Sequence, residues 1–162
     1  MAHDAHHIHH HDHTHCVHTA LREAEALCDK RGLRLTPLRR EVLQLVWQTH
    51  GPVKAYDLLS AMNQNLAAGE RQAAPPTVYR ALEFLLDAGL IHRLDTLNAF
   101  IGCGDPGHAH YGQFLVCRQC HTVSELNEPA ITHALQTKAS SLGFSVDKHT
   151  PAIQGLCRQC RE

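Results

Sequence analysis

Two Cys-x-x-Cys pairs constrain the second half of this chain more than any other feature. One pair is Cys117 and Cys120, and the other is Cys157 and Cys160, close to the end of the 162 residues. Each pair allows two sulfurs to reach one ion at about 2.3 Å, and four thiolates are a common tetrahedral donor set for structural zinc. The interval between the pairs is roughly double the 15–20 residues of a short zinc ribbon, so we expect a small folded unit between them. The alternative is two disulfides or four ordinary thiols.

The N-terminal sequence and the cysteine content favour the metal site over the disulfides. The chain begins with polar residues that do not resemble a signal peptide, and it contains no apolar run of about eighteen residues that would span a membrane. We therefore expect a cytoplasmic protein with no membrane partner, in a compartment that keeps thiols reduced. The cysteine count is seven, so any disulfide scheme leaves at least one thiol unpaired.

Composition predicts a folded chain with an unfolded N-terminal tail. Hydrophobic residues make up 43% and charged residues 19% of the sequence. Nine of the sixteen histidines fall in the first eighteen residues, and residues 1–15 contain almost no apolar side chains and are expected to be disordered. This tail is either an expression tag or a weak zinc-collecting segment. The net charge of −1 says nothing about a nucleic-acid partner, so DNA binding has to be argued from motifs.

The pattern of residues 16–94 predicts helices followed by a β-ribbon. Apolar spacing indicates helices over residues 20–31, 37–50, 55–65 and 75–88, and short strands over residues 90–94 and 99–101. Thr36 is expected to cap the second helix, with Pro37 at its first position. Cys28 lies on the apolar stripe of the first helix and is expected to be a small core residue, whereas the role of Cys16 stays open. Successive helices followed by a two-stranded ribbon are typical of a winged helix.

The last helix of this half carries candidate DNA-binding residues. In a winged helix the N-terminal residues of the last helix face the major groove. Thr77, Tyr79 and Arg80 lie on its first turn, away from the leucine stripe. Arginine can donate two hydrogen bonds to guanine, and tyrosine or threonine can reach phosphates or a thymine methyl group. The alternative for Arg80 is an ordinary solvated helix charge.

The second half predicts a small α/β unit with few large apolar residues. Strands are expected over residues 113–116, 123–126, 144–146 and 152–156, with an amphipathic helix over 130–142. So small a unit is expected to need both its metal and a partner chain for stability. The fold class is therefore α+β. We divide the chain into a tail (1–15), a winged-helix DNA-binding domain (16–94), the wing end and hinge (95–102) and a zinc-binding dimerisation domain (103–162).

Several motifs in order along the chain resemble the ferric uptake regulator superfamily, and more closely its zinc uptake regulator branch. The matching pieces are Arg34-Leu-Thr-Pro37, Ala55-Tyr-Asp-Leu-Leu59, Pro75-Pro-Thr-Val-Tyr-Arg-Ala-Leu82 and the two cysteine pairs. The resemblance implies a homodimeric, zinc-responsive repressor of zinc-uptake genes that binds a palindromic double-stranded DNA operator, and not an enzyme. It also implies that Tyr56 and Arg80 contact bases.

The same resemblance implies two zinc ions per subunit. The structural site of the family falls on the four paired cysteines, and the regulatory site falls on His92, Cys103, His110 and Glu125. One ion bound there would join the wing, the hinge and the dimerisation domain. Two imidazoles, a thiolate and a carboxylate suit zinc better than a set of oxygen and nitrogen donors alone would, whereas ferrous sites favour harder ligands. His108 is the alternative to His110, because both lie in the segment between Cys103 and Cys117 and the length of that segment decides which one aligns with the family's ligand.

Other interpretations of the sequence differ in the number of metal sites or in the function. A third metal site, as in some family members, is doubtful because His149 lacks a matching carboxylate. A family sensor of another metal, or of peroxide through cysteine oxidation, is the main functional alternative. A zinc enzyme or a histidine-rich storage protein is a further one, but no histidine and glutamate stand at metalloprotease spacing.

Overall fold

The structure is a computed structural model that describes residues 13–49, 51–64, 66, 69, 71–107, 113–146 and 152–161. Its elements, in chain order, are α1 (His13–Arg31), α2 (Pro37–Gln48), α3 (Ala55–Gln64), α4 (Pro75–Asp87), β1 (Ile91–Leu94), a 3₁₀ turn (Asp95–Leu97), β2 (Ala99–Gly102), β3 (Gln113–Cys117), β4 (Val123–Leu126), α5 (Pro129–Ser141), β5 (Ala152–Gly155) and α6 (Arg158–Arg161). The order confirms the predicted α+β class, with helices and a ribbon first and a small sheet after them.

The first helix is longer than predicted. Helix α1 begins at His13 rather than at residue 20, so its first turns use part of the histidine-rich stretch. Val17, Leu21, Ala24 and Cys28 repeat at helical spacing and are buried, with Cys28 only 1% exposed. This burial holds the extension in place, and it confirms Cys28 as a core residue. Residues 1–12, the rest of the expected tail, lie outside the described residues.

Helix α2 begins where the sequence predicts. Thr36 is its N-cap and accepts a hydrogen bond from the backbone N–H of Arg39 at 3.4 Å, with Pro37 at the first helical position. Helix α2 packs against α1, α3 and α4, and Val42, Leu43 and Val46 are at most 1% exposed. The three-helix core therefore fixes the position of α4.

The wing is a two-stranded antiparallel ribbon that a third segment extends. Ile91 pairs with Gly102 and Leu94 pairs with Ala99, and the chain turns between them with Asn98 in the left-handed region at φ 47°. Val53 and Phe100 exchange backbone hydrogen bonds of 2.9 and 2.8 Å. The start of α3, which follows Val53, is thereby attached to the wing.

The C-terminal sheet brings the two cysteine pairs together. Its strand order is β4-β3-β5, with β3 and β4 antiparallel and β3 and β5 parallel. Cys117 pairs with Gly155, so both strands end at the same edge of the sheet and each runs into a cysteine pair there. The strand expected over residues 144–146 is wrong because this segment pairs with none of the described strands, and the short helix α6 was not predicted.

A second apolar cluster connects the wing to the C-terminal sheet. Leu94 of β1, Phe114 and Val116 of β3 are at most 2% exposed and pack together, joined by Leu97, Ile101, Val123 and Ala152. The two halves therefore share an apolar contact surface in addition to their chain connection. None of the helices in the described part of the chain has the length and apolar character that crossing a membrane requires.

Candidate metal sites and nucleic-acid interface

The four paired cysteines form one compact cluster of sulfur atoms. The Sγ atoms of Cys117, Cys120, Cys157 and Cys160 all lie within 4.8 Å of one another. The Sγ atoms of Cys120 and Cys157 are 3.6 Å apart, and the backbone N–H of Cys157 donates to the Sγ of Cys117 at 3.4 Å. Four sulfurs at this separation match the tetrahedral donor set of a structural zinc site.

The protonation of this cluster is uneven. Backbone N–H groups of Cys120 and then of Cys157 lower the pKa of Cys117 to about 5, because they stabilise its thiolate. Hydrogen bonds with the sulfurs of Cys157 and Cys120 raise the pKa of Cys160 to about 12. Adjacent thiolates repel one another, so the cluster retains protons unless a cation offsets the negative charge. The donor set therefore fits a soft divalent metal such as zinc.

A second group of potential ligands lies where the wing meets the C-terminal sheet. His92 is on β1, Cys103 directly follows β2 and Glu125 is on β4. The Nε2 atom of His92 is 3.6 Å from the Oε1 atom of Glu125, and that imidazole is 11% exposed. A Cβ atom placed on Gly104 would lie 3.9 Å from the Oε2 atom of Glu125, so this carboxylate also reaches the residue after Cys103.

Cys103 is a buried thiol in a negatively charged setting. It is 3% exposed, and burial raises its pKa to about 11. The backbone N–H of Asp105 opposes this by donating to the sulfur, whereas the charges of Glu125 and Asp105 favour the protonated form. Imidazole, thiol and carboxylate groups, from three separate elements, are suited to zinc. His110, its alternative His108 and His149 lie outside the described residues.

Phe114 supports the second group in a way that the sequence did not predict. Its ring contacts the ring of His92 edge-on, with centroids 5.2 Å apart and planes at 62°. In the β3–β4 ladder Phe114 also stands directly opposite Glu125. Strand alternation predicts that one face of β3 is buried, but only the folded chain shows which side chain meets His92.

The predicted DNA-binding residues lie on α3 and α4, and three of the four are exposed. Tyr56 on α3 and Tyr79 on α4 are 75% and 54% exposed, Arg80 is exposed, and Thr77 is half-buried. Helix α4 has Ala74 as its N-cap without a side-chain hydrogen bond, and two prolines open it. Proline has no N–H, so this helix end offers few main-chain donors and its exposed polar groups are mainly those of its side chains.

A groove separates the beginning of α3 from α4 and the wing. Its lining includes both exposed tyrosines, Lys54, Arg93 and Asn98 at the wing turn. Lys54 and Arg93 add positive charge that the sequence analysis did not assign to this surface, although the lining also includes the carboxylate of Glu83 and Arg93 forms a 2.8 Å ion pair with Asp95. Cations, hydroxyl groups and an amide on one concave surface are suited to a nucleic-acid backbone.

The C-terminal half exposes large apolar side chains. The exposed residues are Leu115, Ile131, Leu135, Leu142, Phe144, Val146, Ile153 and Leu156. Helix α5, expected to bury its apolar stripe, has no buried residue in the single chain. Apolar surface concentrated in this way marks an interaction face.

Comparison with known proteins finds close relatives across most of the chain. The model of the ferric uptake regulator family matches residues 30–153. The zinc uptake regulation protein of Escherichia coli strain K12 is 37% identical over 145 residues, covering 88% of this chain and 81% of its own length. A structure of a zinc uptake regulator complexed with zinc and DNA is 35% identical, with a TM-score of 0.80, and covers 90% of this chain and 95% of its own.

Two structures of one further relative differ in their likeness to this chain. The holo crystal structure of XcZur is 40% identical and has a TM-score of 0.78, covering 88% of this chain and 97% of its own. The apo crystal structure of XcZur is 39% identical, but its TM-score is 0.52, with coverage of 90% and 98%. The arrangement seen in this chain is therefore close to that of the holo relative.

Proposed function

This chain belongs to the ferric uptake regulator family, and on that premise we propose that it is a zinc-responsive, homodimeric transcriptional repressor of zinc-uptake genes. The observation that carries the proposal is the 3.6 Å approach of His92 on the wing to Glu125 on the C-terminal sheet, beside buried Cys103. Members of the family are DNA-binding regulators rather than enzymes, and the chain has the wing, exposed helix and paired cysteines that such a role requires.

The four paired cysteines would hold the structural zinc. They lie at the edge where β3 and β5 end, so a shared ion would crosslink the two strands. Zinc held by four thiolates keeps no open coordination position and supplies folding energy rather than catalysis. The second ion of each subunit would be held by His92, Cys103, Glu125 and His110.

The regulatory residues act by restricting the orientation of the two halves. With His92 and Glu125 held by one ion, the wing and α4 take a single position relative to the C-terminal sheet. Moving a two-state equilibrium from mostly open to mostly closed requires about 5 kcal/mol of differential binding, which a four-ligand zinc site can supply. The higher TM-score against the holo than the apo form of XcZur supports a metal-linked rearrangement of this kind.

Operator binding would use two copies of the exposed surface on α3 and α4. Arg80 and Tyr56 would contact bases, while Thr77 and Tyr79 would contact phosphates or a thymine methyl group. The apolar face of the C-terminal half would pair two subunits, placing two α4 helices over half-sites of a palindrome about one helical turn or a multiple apart. The relative solved with zinc and DNA supports this use of the fold.

Zinc and a reducing compartment suit the donor sets. Thiolates and imidazoles bind zinc in preference to oxygen-loving metals, and the absence of a disulfide among the seven cysteines, all of them in the described part of the chain, is consistent with the cytoplasm. The peroxide alternative has less support. Redox-sensing cysteines are accessible thiols of low pKa, whereas Cys103 is 3% exposed and burial raises its pKa. Cys117 and Cys120 have lowered pKa values, but both belong to the four-thiol cluster and would be occupied as zinc ligands.

The proposal is tested by replacing two regulatory ligands together. The double variant His92→Ala/Cys103→Ala should keep one tightly bound zinc per subunit, its fold and its dimer, while losing zinc-dependent binding to operator DNA. Binding is measured by fluorescence anisotropy in zinc-buffered solutions, with iron(II) and manganese(II) titrated in parallel. Tight, zinc-responsive binding by the double variant, or a wild-type preference for iron(II), would overturn the proposal.

A further inference from the structure

The indole of Trp47 lies against the end of the wing. Trp47 is the penultimate residue of α2, and Gly102 is the last residue of β2. A Cβ atom placed on Gly102 would lie 2.5 Å from the Cε2 atom of Trp47 and 2.8 Å from its Cζ2 and Nε1 atoms. Carbon atoms of packed side chains lie about 3.5–4.0 Å apart at their optimal contact distance, so only glycine leaves room for the indole.

Gly102 directly precedes Cys103, and the same stretch is anchored on its other side. The backbone N–H of Cys103 donates to the carbonyl of Leu90 at 3.0 Å, and Gly102 pairs with Ile91 in the wing ladder. Trp47 in turn packs against the core cluster of the N-terminal half. The backbone that leads into Cys103 is therefore held between the β1 side of the ribbon and a large, rigid side chain.

We propose that the contact between Trp47 and Gly102 sets the position of Cys103 for metal binding, so that both are positioning residues of the regulatory site. The inference rests on the proposed function, because it concerns the ligand that His92 and Glu125 would share. Metal–ligand distances tolerate only about 0.2 Å, so a small displacement of the backbone before Cys103 weakens the site. Helix α2 also packs against α4, so the helix that supports Cys103 also supports the DNA-reading helix.

The test is a double-mutant cycle in the full-length dimer loaded with its four-thiol zinc. Gly102→Ala should raise the free zinc needed for half-maximal operator binding at least tenfold, because the added methyl group displaces either the indole or the backbone. Trp47→Leu should raise it about threefold through the loss of the supporting wall. Adding Gly102→Ala to Trp47→Leu should cost nothing more, because the methyl group then has room.

Two readouts separate positioning from general damage. The zinc content of the four-thiol site should stay near wild type, while the cobalt(II) d–d spectrum of the second site changes in Gly102→Ala. The melting temperature is measured alongside, because the altered packing of Trp47 lowers stability in both single variants. Gly51→Ala is the matched control because a Cβ atom there meets no atom within 4 Å, and it should behave as wild type. Equal effects of Gly102→Ala in the wild-type and Trp47→Leu backgrounds, or none in either, would overturn the inference.

Cys103→Ser distinguishes a wrong regulatory site from a wrong positioning role. If Cys103→Ser leaves the zinc dependence unchanged, the regulatory site itself is wrong. If Cys103→Ser abolishes that dependence and Gly102→Ala does not alter it, only the positioning role is wrong. If Gly102→Ala does not fold, Trp47→Leu alone decides, and an unaltered zinc requirement in that variant refutes the role.

Discussion

The Nε2 atom of His92 and the Oε1 atom of Glu125 lie 3.6 Å apart although β1 and β4 belong to different halves of the chain. Phe114 contacts the ring of His92 and stands opposite Glu125, so the approach is supported by packing. The apolar cluster of Leu94, Phe114 and Val116 excludes water beside it. The polar pair and the apolar cluster therefore lie side by side at the boundary between the two halves, joined by Phe114.

Replacing Glu125 by glutamine should weaken the response to zinc selectively. The amide has nearly the same size but no charge, and a neutral oxygen binds a divalent cation less strongly than a carboxylate does. We expect at least a tenfold increase in the free zinc required for operator binding, with the four-thiol zinc retained. Chelator-buffered titrations measure the change. Glu41→Gln, at an exposed position on α2, is the control and should have no effect.

Loss of one cysteine of the four-thiol cluster should destabilise the C-terminal half. In Cys157→Ser three sulfurs remain, and the crosslink between the ends of β3 and β5 is lost. Structural zinc contributes directly to folding free energy, so zinc content, melting temperature and dimer content should all fall. Cys16→Ser is the comparison because Cys16 is exposed on α1 and outside the cluster. A stable, zinc-free Cys157→Ser dimer would contradict the assignment.

Phe114 should contribute to both stability and the zinc response. Truncation to alanine removes a ring that is 1% exposed and should cost about 3–5 kcal/mol of unfolding free energy. Phe114→Leu should cost about 1 kcal/mol and also weaken zinc-dependent DNA binding, because the ring edge against His92 is lost. Phe84→Leu, which packs against the core of the N-terminal half outside the groove lining, should lose stability without that effect. Equal zinc responses in the two leucine variants would show that Phe114 only fills space.

Arg80 and Tyr56 should differ from other surface residues in their effect on DNA binding. Arg80→Ala should cost about 1–3 kcal/mol of operator binding and relax the preference for one base pair. Tyr56→Phe, which removes only a hydroxyl at a 75% exposed position, should cost less. Lys138→Ala, on α5, should leave the operator affinity unchanged. A uniform loss across specific and random DNA in Arg80→Ala would instead indicate a phosphate contact.

A charge on the apolar side of α5 should dissociate the dimer. Leu135 is 46% exposed in the single chain, and Leu135→Asp would bury a charge between subunits. Thr137→Asp adds the same charge two residues along, where the side chain points to a different side of the helix. Sedimentation should show monomers for the first variant and dimers for the second. Identical dimer content in both would exclude this side of α5 from the interface.

Local signals predicted most of the elements. Thr36 with Pro37 marks the start of α2, and the apolar spacing of α4 identifies its buried side correctly. The histidine-rich start of α1 was missed because polar composition alone favours disorder, whereas Val17 and Leu21 pack against the core and stabilise a helix from His13. The strand expected at Phe144–Val146 failed because apolar content alone does not make a strand, and none of the described strands pairs with this segment.

The sequence by itself determined the chemistry of this protein, because residue type and spacing decide which atoms can bind metal or DNA. The amino-acid sequence alone identifies the paired cysteines and the motif of α4, together with the family resemblance that they support. Only the tertiary structure decided that β3 and β5 run parallel and that His92 meets Glu125 against Phe114. The approach of Trp47 to Gly102 is equally a property of the fold, since contacts between residues far apart in sequence depend on how all elements pack at once.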